Sequence, residues 1–225
     1  MKFFTGVMVG ALLITSAFSQ AKAGVIIGGT RVVYTGDKKE TSLSITNPDA
    51  LPYLIQSWVE ASAPGGSKPP FIITPPLYRL DKGQQNMMRI VLVGRLSQEK
   101  ESLFWLNIKS IPSVTPRDNT LQVAVKTRIK LIYRPQALAG SGPEEQAGKL
   151  MWNRNGAHVQ VHNPTPYYIN FNEIKVGGIK LEEATYVAPG STAMFTLPTG
   201  NTSSQLAFKI INDYGGIGEV HAARL

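Results

Sequence analysis

Apolar and polar residues alternate in short runs along most of this chain, the period expected of half-buried β-strands. No stretch repeats its apolar residues at helical spacing. The pattern predicts strands over residues 25–34, 41–46, 53–59, 71–74, 86–92, 103–108 and 121–133, with Gly, Pro, Asn and Asp at the turns between them. A series of this kind describes an immunoglobulin-like sandwich. A second series follows over residues 149–152, 158–162, 168–176, 185–187, 192–196 and 205–211. Between the two lie Arg134-Pro135 and the stretch Ala139-Gly140-Ser141-Gly142-Pro143-Glu144-Glu145, rich in small and polar residues, which is the place to divide the chain. The expected architecture is all-β: two immunoglobulin-like β-sandwich domains in tandem, residues 24–135 and 136–225.

The halves echo each other. Ser44-Ile45-Thr46-Asn47-Pro48 with Pro52-Tyr53 recurs as Gln160-Val161-His162-Asn163-Pro164 with Pro166-Tyr167. Asn-Pro at the end of a strand is ordinary turn chemistry, so the echo supports a tandem architecture only modestly. Gly215-Gly216-Ile217-Gly218 lacks the strand-to-helix context of a phosphate loop and reads as a turn. The chain stops soon afterwards, which leaves open how the second domain closes.

The first residues change the picture of where the protein works. A lysine, an apolar run from Phe3 to Ile14, and small residues ending in Ala21-Lys22-Ala23 form a signal peptide over residues 1–23, too short to span a bilayer. What remains has the length of two domains of about 100 residues, each able to bury its own core. Cysteine is absent although an exported protein is allowed disulfides, so thiol catalysis and Cys-based metal sites are excluded. The formal net charge of +8, two of it from Lys2 and Lys22, raises nucleic acid as a partner. The cations are scattered rather than clustered, which points to acidic protein partners instead.

One segment stands apart. Residues 121–133, as a single strand, would exceed 40 Å at about 3.3 Å per residue, roughly twice the usual length. Leu121, Val123, Val125, Ile129, Leu131 and Tyr133 would face one way, and Lys126, Arg128 and Lys130 the other. It reads either as a long core strand or as a strand whose first half is an exposed edge, open to pairing with another chain. Periodicity leaves both readings standing.

Several segments, in order, resemble the PapD-like periplasmic chaperones of the chaperone–usher pilus pathway. The most specific is Lys100-Glu101-Ser102-Leu103-Phe104-Trp105-Leu106-Asn107-Ile108-Lys109-Ser110-Ile111-Pro112. Ile129-Lys130-Leu131-Ile132-Tyr133-Arg134-Pro135, Asn163-Pro164-Thr165-Pro166-Tyr167-Tyr168 and Ile211-Asn212-Asp213-Tyr214-Gly215-Gly216 come next, and Thr30-Arg31-Val32-Val33-Tyr34 also fits. The resemblance implies two domains set at an angle with a cleft between them. It implies a periplasmic protein that folds and caps pilus subunits by donor-strand complementation and delivers them to an outer-membrane usher.

By the same resemblance Leu121, Val123 and Val125 are the donor strand, filling the groove of a subunit that lacks its final strand. Arg31 and Lys130 anchor the subunit's terminal carboxylate, and Glu101, Arg134 and Asp213 form an interdomain ion network. Without the family, Arg31 and Lys130 would read as solvated cations. No cofactor, metal, nucleic acid or stable membrane insertion is expected, and self-association through the exposed edge strand is allowed. His158 and His162 share a strand face, but no carboxylate or cysteine completes a metal set. No Gly-x-Ser-x-Gly elbow supports a hydrolase, so an enzyme is not expected. The alternative class is a structural or adhesive surface fibre protein.

Overall fold

The computed structural model describes residues 24–113 and 121–225. The expected signal peptide lies outside the described residues.

The N-terminal half contains β1 (Ile26–Ile27), β2 (Arg31–Thr35), β3 (Glu40–Thr46), β4 (Tyr53–Ala61), β5 (Phe71–Thr74), β6 (Leu77–Leu80), β7 (Gln85–Leu92), β8 (Ser102–Pro112) and β9 (Val125–Arg134). They form a four-stranded sheet in the order β1-β3-β7-β5 and a five-stranded sheet in the order β2-β9-β8-β4-β6. Between the sheets Tyr34, Ile45, Ile55, Met88, Ile90, Leu106, Ile108 and Leu131 are buried in one core. The inward residues recur at every second position, as half-buried strands require.

Two short 3₁₀ turns, Gln136–Leu138 and Glu144–Lys149, lead into the second half. It contains β10 (Met151–Asn155), β11 (His158–Asn163), β12 (Ile169–Val176), β13 (Ile179–Lys180), β14 (Tyr186–Val187), β15 (Ser191–Thr196), β16 (Gln205–Ile211) and β17 (Ile217–Arg224). A three-stranded sheet, β10-β11-β15, faces a five-stranded sheet ordered β13-β12-β16-β17 with β14 beside β12. Val159, Val161, Ile169, Phe171, Ile174, Phe195, Phe208 and Ile210 fill the second core. The chain is thus all-β and built as two immunoglobulin-like sandwiches in tandem.

The structure adds two short strands the pattern does not predict, β6 and β13, and departs from the alternation more substantially in three places. The strand expected over residues 25–34 is broken: β1 pairs with β3, whereas β2 pairs in parallel with β9 in the other sheet. The chain changes sheets at Gly28-Gly29, where a Cβ on Gly28 would sit 2.1 Å from the Ser44 hydroxyl, so only glycine fits unchanged. The strand expected over residues 121–133 begins at Val125, because its ladder with β8 ends at the pair Ser110↔Val125. There the Ser110 hydroxyl donates to the Val125 carbonyl at 3.3 Å, and Pro112, two residues on, has no N–H to continue the ladder. The end of the chain, left open by the pattern, is β17, an antiparallel partner of β16 that completes the second sheet's edge.

The sequence echo has a physical basis. Asn47 and Asn163 are both fully buried. Each side-chain amide donates to the carbonyl four residues on, Asn47 to Leu51 at 2.8 Å and Asn163 to Tyr167 at 2.7 Å. Each side-chain oxygen accepts the amide two residues on, from Asp49 and Thr165, at 3.0 Å. The same device turns the chain in both sandwiches, by the local side-chain bonding that makes Asn a turn residue.

Leu106 is fully buried and Leu121 is 86% exposed. Leu106→Ala is expected to cost about 2–5 kcal/mol of unfolding free energy, and Leu121→Ala within about 0.5 kcal/mol. Equilibrium urea unfolding of the two variants checks this, and equal losses would contradict the burial described.

Candidate functional site

β9 is the element that organises the site. β8 borders it along its whole length, but β2 borders it only over Lys130–Arg134. Among the described residues no strand lies on that side of residues 125–129. The chain just before, residues 121–124, lies outside the strand. Leu121, Val123 and Val125 are 86, 59 and 50% exposed, and Val125 lies on the same side of β9 as the buried Ile129 and Leu131. Of the two readings of this segment, its first half is an exposed edge. A gap lined by Val25, Ile27, Ile108, Val125 and Thr127 opens beside it, where the two sheets of the sandwich part.

Where β2 does pair with β9, Arg31 stands directly opposite Lys130. Both residues face the second sandwich. Arg31 donates to the Ile211 carbonyl at 3.2 Å, and Lys130 donates to the Asn170 side chain and lies 4.6 Å from the centre of the Tyr186 ring. The Arg31 Nε is buried without a hydrogen-bond partner. Burial pushes the Arg31 guanidinium below its ordinary value, partly offset by Asp213. Burial and the neighbouring Arg31 push Lys130 down to about 8. Two partly desolvated cations side by side, one with a spare donor, make a place where an anion is favoured.

Next to this pair, Arg134 at the end of β9 joins the two sandwiches. It donates from Nε to Glu101 at 2.7 Å, and from its two terminal nitrogens to Asp213 at 2.5 and 2.8 Å. Burial alone would lower the pKa of this guanidinium, but the hydrogen bonds and charges of Asp213 and Glu101 outweigh it and raise the value. Glu101 also accepts the Tyr168 amide at 2.7 Å, while its own amide donates to the Pro166 carbonyl at 2.9 Å.

Local folding explains how these partners arrive. Asn163 shapes the Asn-Pro-Thr-Pro-Tyr-Tyr turn that presents Pro166 and Tyr168 to Glu101. On the other side Asn212 accepts the amides of Tyr214 at 3.0 Å and Gly216 at 2.9 Å, forming the turn that carries Asp213. Gly215 in that turn has a φ of 84°, and a Cβ there would sit 2.2 Å from the Thr30 hydroxyl, next to Arg31.

The structure therefore brings Arg31 beside Lys130, and Glu101, Arg134 and Asp213 into one cluster, with Leu121, Val123 and Val125 leading away from both. Sequence reasoning missed Asn170 and Tyr186, which flank Lys130, and the backbone groups of Pro166 and Tyr168. The Asn163 turn was the available signal, since it recurs at Asn47 and so marks a built feature. Among the described residues no group of three or more His, Asp or Glu side chains is placed to hold a metal ion.

The arrangement defines a two-sandwich protein with a β-strand left open beside a cationic cleft. Residues 24–139 match the family described as "Pili and flagellar-assembly chaperone, PapD N-terminal domain", and residues 145–222 match "Pili assembly chaperone PapD, C-terminal domain". The chain belongs to this family of pilus-assembly chaperones. It is similar to the chaperone protein FocC of Escherichia coli, 39% identical over 218 residues that cover 94% of this chain and 95% of that protein. It is also similar to the chaperone protein FimC of Escherichia coli, 42% identical over 204 residues covering 88% and 83%. The crystal structure of the E. coli chaperone DraB superposes with a TM-score of 0.81 at 37% identity, covering 90% of this chain and 96% of that one. A structure of the Salmonella enterica SafA pilin in complex with the SafB chaperone gives 0.84 at 33% identity, covering 92% and 99%.

Removing one partner of a buried ion pair strands the other, at a cost of about 3–5 kcal/mol. Arg134→Ala is expected to lose that much in urea unfolding, and Asp213→Asn less, because the Asp213 side chain is 28% exposed and that of Glu101 only 1%. Arg134→Ala within 1 kcal/mol of the parent, on the scale of an exposed pair, would contradict a buried network.

Proposed function

We propose that this protein is a periplasmic chaperone that binds pilus subunits by adding its open strand to them, caps them, and hands them to an outer-membrane usher. In this reading residues 1–23 are a cleaved leader, and residues 24–135 and 136–225 are the two units that form the cleft. The carrying observation is the run of exposed aliphatic side chains, Leu121 and Val123 just before β9 and Val125 at its start, on a segment whose other end lies beside Arg31 and Lys130. Exposed large aliphatics at an open strand edge are a hazard in a stable monomer unless a partner covers them. A subunit missing its last strand is such a partner: each aliphatic it buries contributes roughly 1.5–3 kcal/mol, and main-chain pairing satisfies its orphan amides.

Arg31 and Lys130 bind the subunit's terminal carboxylate, with the Arg31 Nε supplying an uncommitted donor. The anchor fixes register, since a one-residue slip would turn every aliphatic away from the groove. Glu101, Arg134 and Asp213 hold the angle between the domains and do not touch the client. The relatives named above are chaperones, one of them solved with a pilin, which favours this reading over a fibre protein. No helix among the described residues is long and apolar enough to cross a membrane. Without a client, the same open edge is available to a second copy.

Co-expression with a subunit tests the division of labour. Arg31→Ala is expected to melt like the parent and to yield no soluble one-to-one complex, whereas Arg134→Ala melts earlier. An undiminished yield of complex from Arg31→Ala would remove the anchor from the mechanism.

The cleft also sets a pH dependence. Lys130 titrates near 8 in the folded protein against 10.5 ordinarily, so between these values the unfolded chain holds more protons. For this group the client-free protein therefore gains stability as pH rises through that window, while the positive charge that binds the carboxylate is lost. Affinity for a peptide with a free terminal carboxylate is expected to fall by up to about tenfold per pH unit above 8. Lys130→Met should flatten that slope, and an identical slope in the variant would show that another group is responsible.

A further inference from the structure

The outward face of β9 carries a feature that neither the donor residues nor the anchor uses. Lys126 and Arg128 alternate with the aliphatic side of the strand and lie on the half of β9 that β2 leaves uncovered. Neither side chain leans toward that open edge. Both reach the other way, Lys126 across β8 to lie 5.0 Å from the centre of the Trp58 ring on β4, and Arg128 onto β8, 4.4 Å from the centre of the Trp105 ring. Both share one carboxylate, Glu60, at 3.5 and 3.6 Å. Glu60 is further engaged by the Trp58 indole N–H at 2.8 Å.

These contacts are weak ones. The pairs are long, and the three side chains are between 38 and 47% exposed, a regime in which ion pairs contribute little. Lys109 stands directly opposite Lys126 across the β8–β9 ladder, a like-charge neighbour that disfavours the resting arrangement. Around the open half of β9 the described residues thus set Lys109, Lys126 and Arg128 against Glu60, with Lys126 and Arg128 parked on tryptophan rings at little cost to move.

We propose that Lys126 and Arg128 read the charge of the incoming strand: the strand that adds to the open edge of β9 carries carboxylates at the alternate positions that face them. This rests on the strand-adding function proposed above and specifies its client. A strand laid beside residues 125–129 places every second side chain next to Lys126 or Arg128 as a direct cross-strand neighbour, where opposite charges attract and like charges repel. A carboxylate there competes with Glu60 for cations already partly desolvated against the indoles. Aliphatic contacts on one side then give affinity, and acidic contacts on the other give discrimination between clients.

Two synthetic peptides test this. They share alternating aliphatic residues and a free terminal carboxylate, and differ only in carrying Glu or Gln at the intervening positions. The full-length mature protein is expected to bind the Glu peptide about tenfold more tightly than the Gln peptide at low salt. The Lys126→Gln/Arg128→Gln double variant should bring the two affinities together, and Glu60→Gln should widen the gap by removing the competitor, each variant's melting being measured alongside. Equal affinity of the two peptides for the parent protein, or a preference that survives the double variant, overturns the proposal while leaving strand addition intact. If neither peptide binds, strand addition itself falls and this proposal with it. Loss of both upon Arg31→Ala, with the Glu preference present in the parent, supports both.

Discussion

One strand serving two masters sets the terms for everything else in this structure. Over Lys130–Tyr133, β9 lies between β2 and β8 and is as complete as any central strand; toward its start it has, among the described residues, a neighbour on one side only. The chain change at Gly28-Gly29 produces this asymmetry, because it diverts the preceding residues to the opposite sheet and leaves β2 short. An edge is thereby created without giving up the core: Ile129, Leu131 and Tyr133 remain buried while Val125 does not.

The charges near the covered half fall into two groups with opposite logic. Arg134 is fully matched by Glu101 and Asp213, and its buried position is tolerable only because every donor on that side has an acceptor. Arg31 and Lys130 are the reverse, crowded together with carbonyl and amide partners and, among the described residues, no ion pair. The matched cluster is a structural joint; the mismatched pair leaves positive charge uncompensated at the cleft. Lys130 and Arg134 are four residues apart on β9, so the joint and the mismatched pair share one rigid element.

Much of the architecture was legible because alternation records which side of each strand is buried, and that is settled locally. Strands such as β5 and β16 follow the expected bounds closely for that reason. Alternation does not record which strand lies alongside. The sheet change after Ile27 and the late start of β9 at Val125 both depend on neighbours distant in sequence. β17 escaped because, as an edge strand, it buries little, and its glycine and alanine residues weaken the pattern. At the site, charge and residue type suggested Arg31 and Lys130 only through family resemblance. Asn170 and Tyr186 carry no local sign of their role, since their contact with Lys130 exists only once two sandwiches meet.

The paired asparagines have a chemical corollary. Spontaneous deamidation of Asn proceeds when the nitrogen of the next residue attacks the side-chain amide, and that nitrogen must carry a hydrogen. In Asn47-Pro48 and Asn163-Pro164 the following nitrogen is tertiary, so this route is closed at the two positions where an added negative charge would be buried inside a turn. Proline here does more than end a strand: it shields these two buried turns from a slow form of molecular ageing.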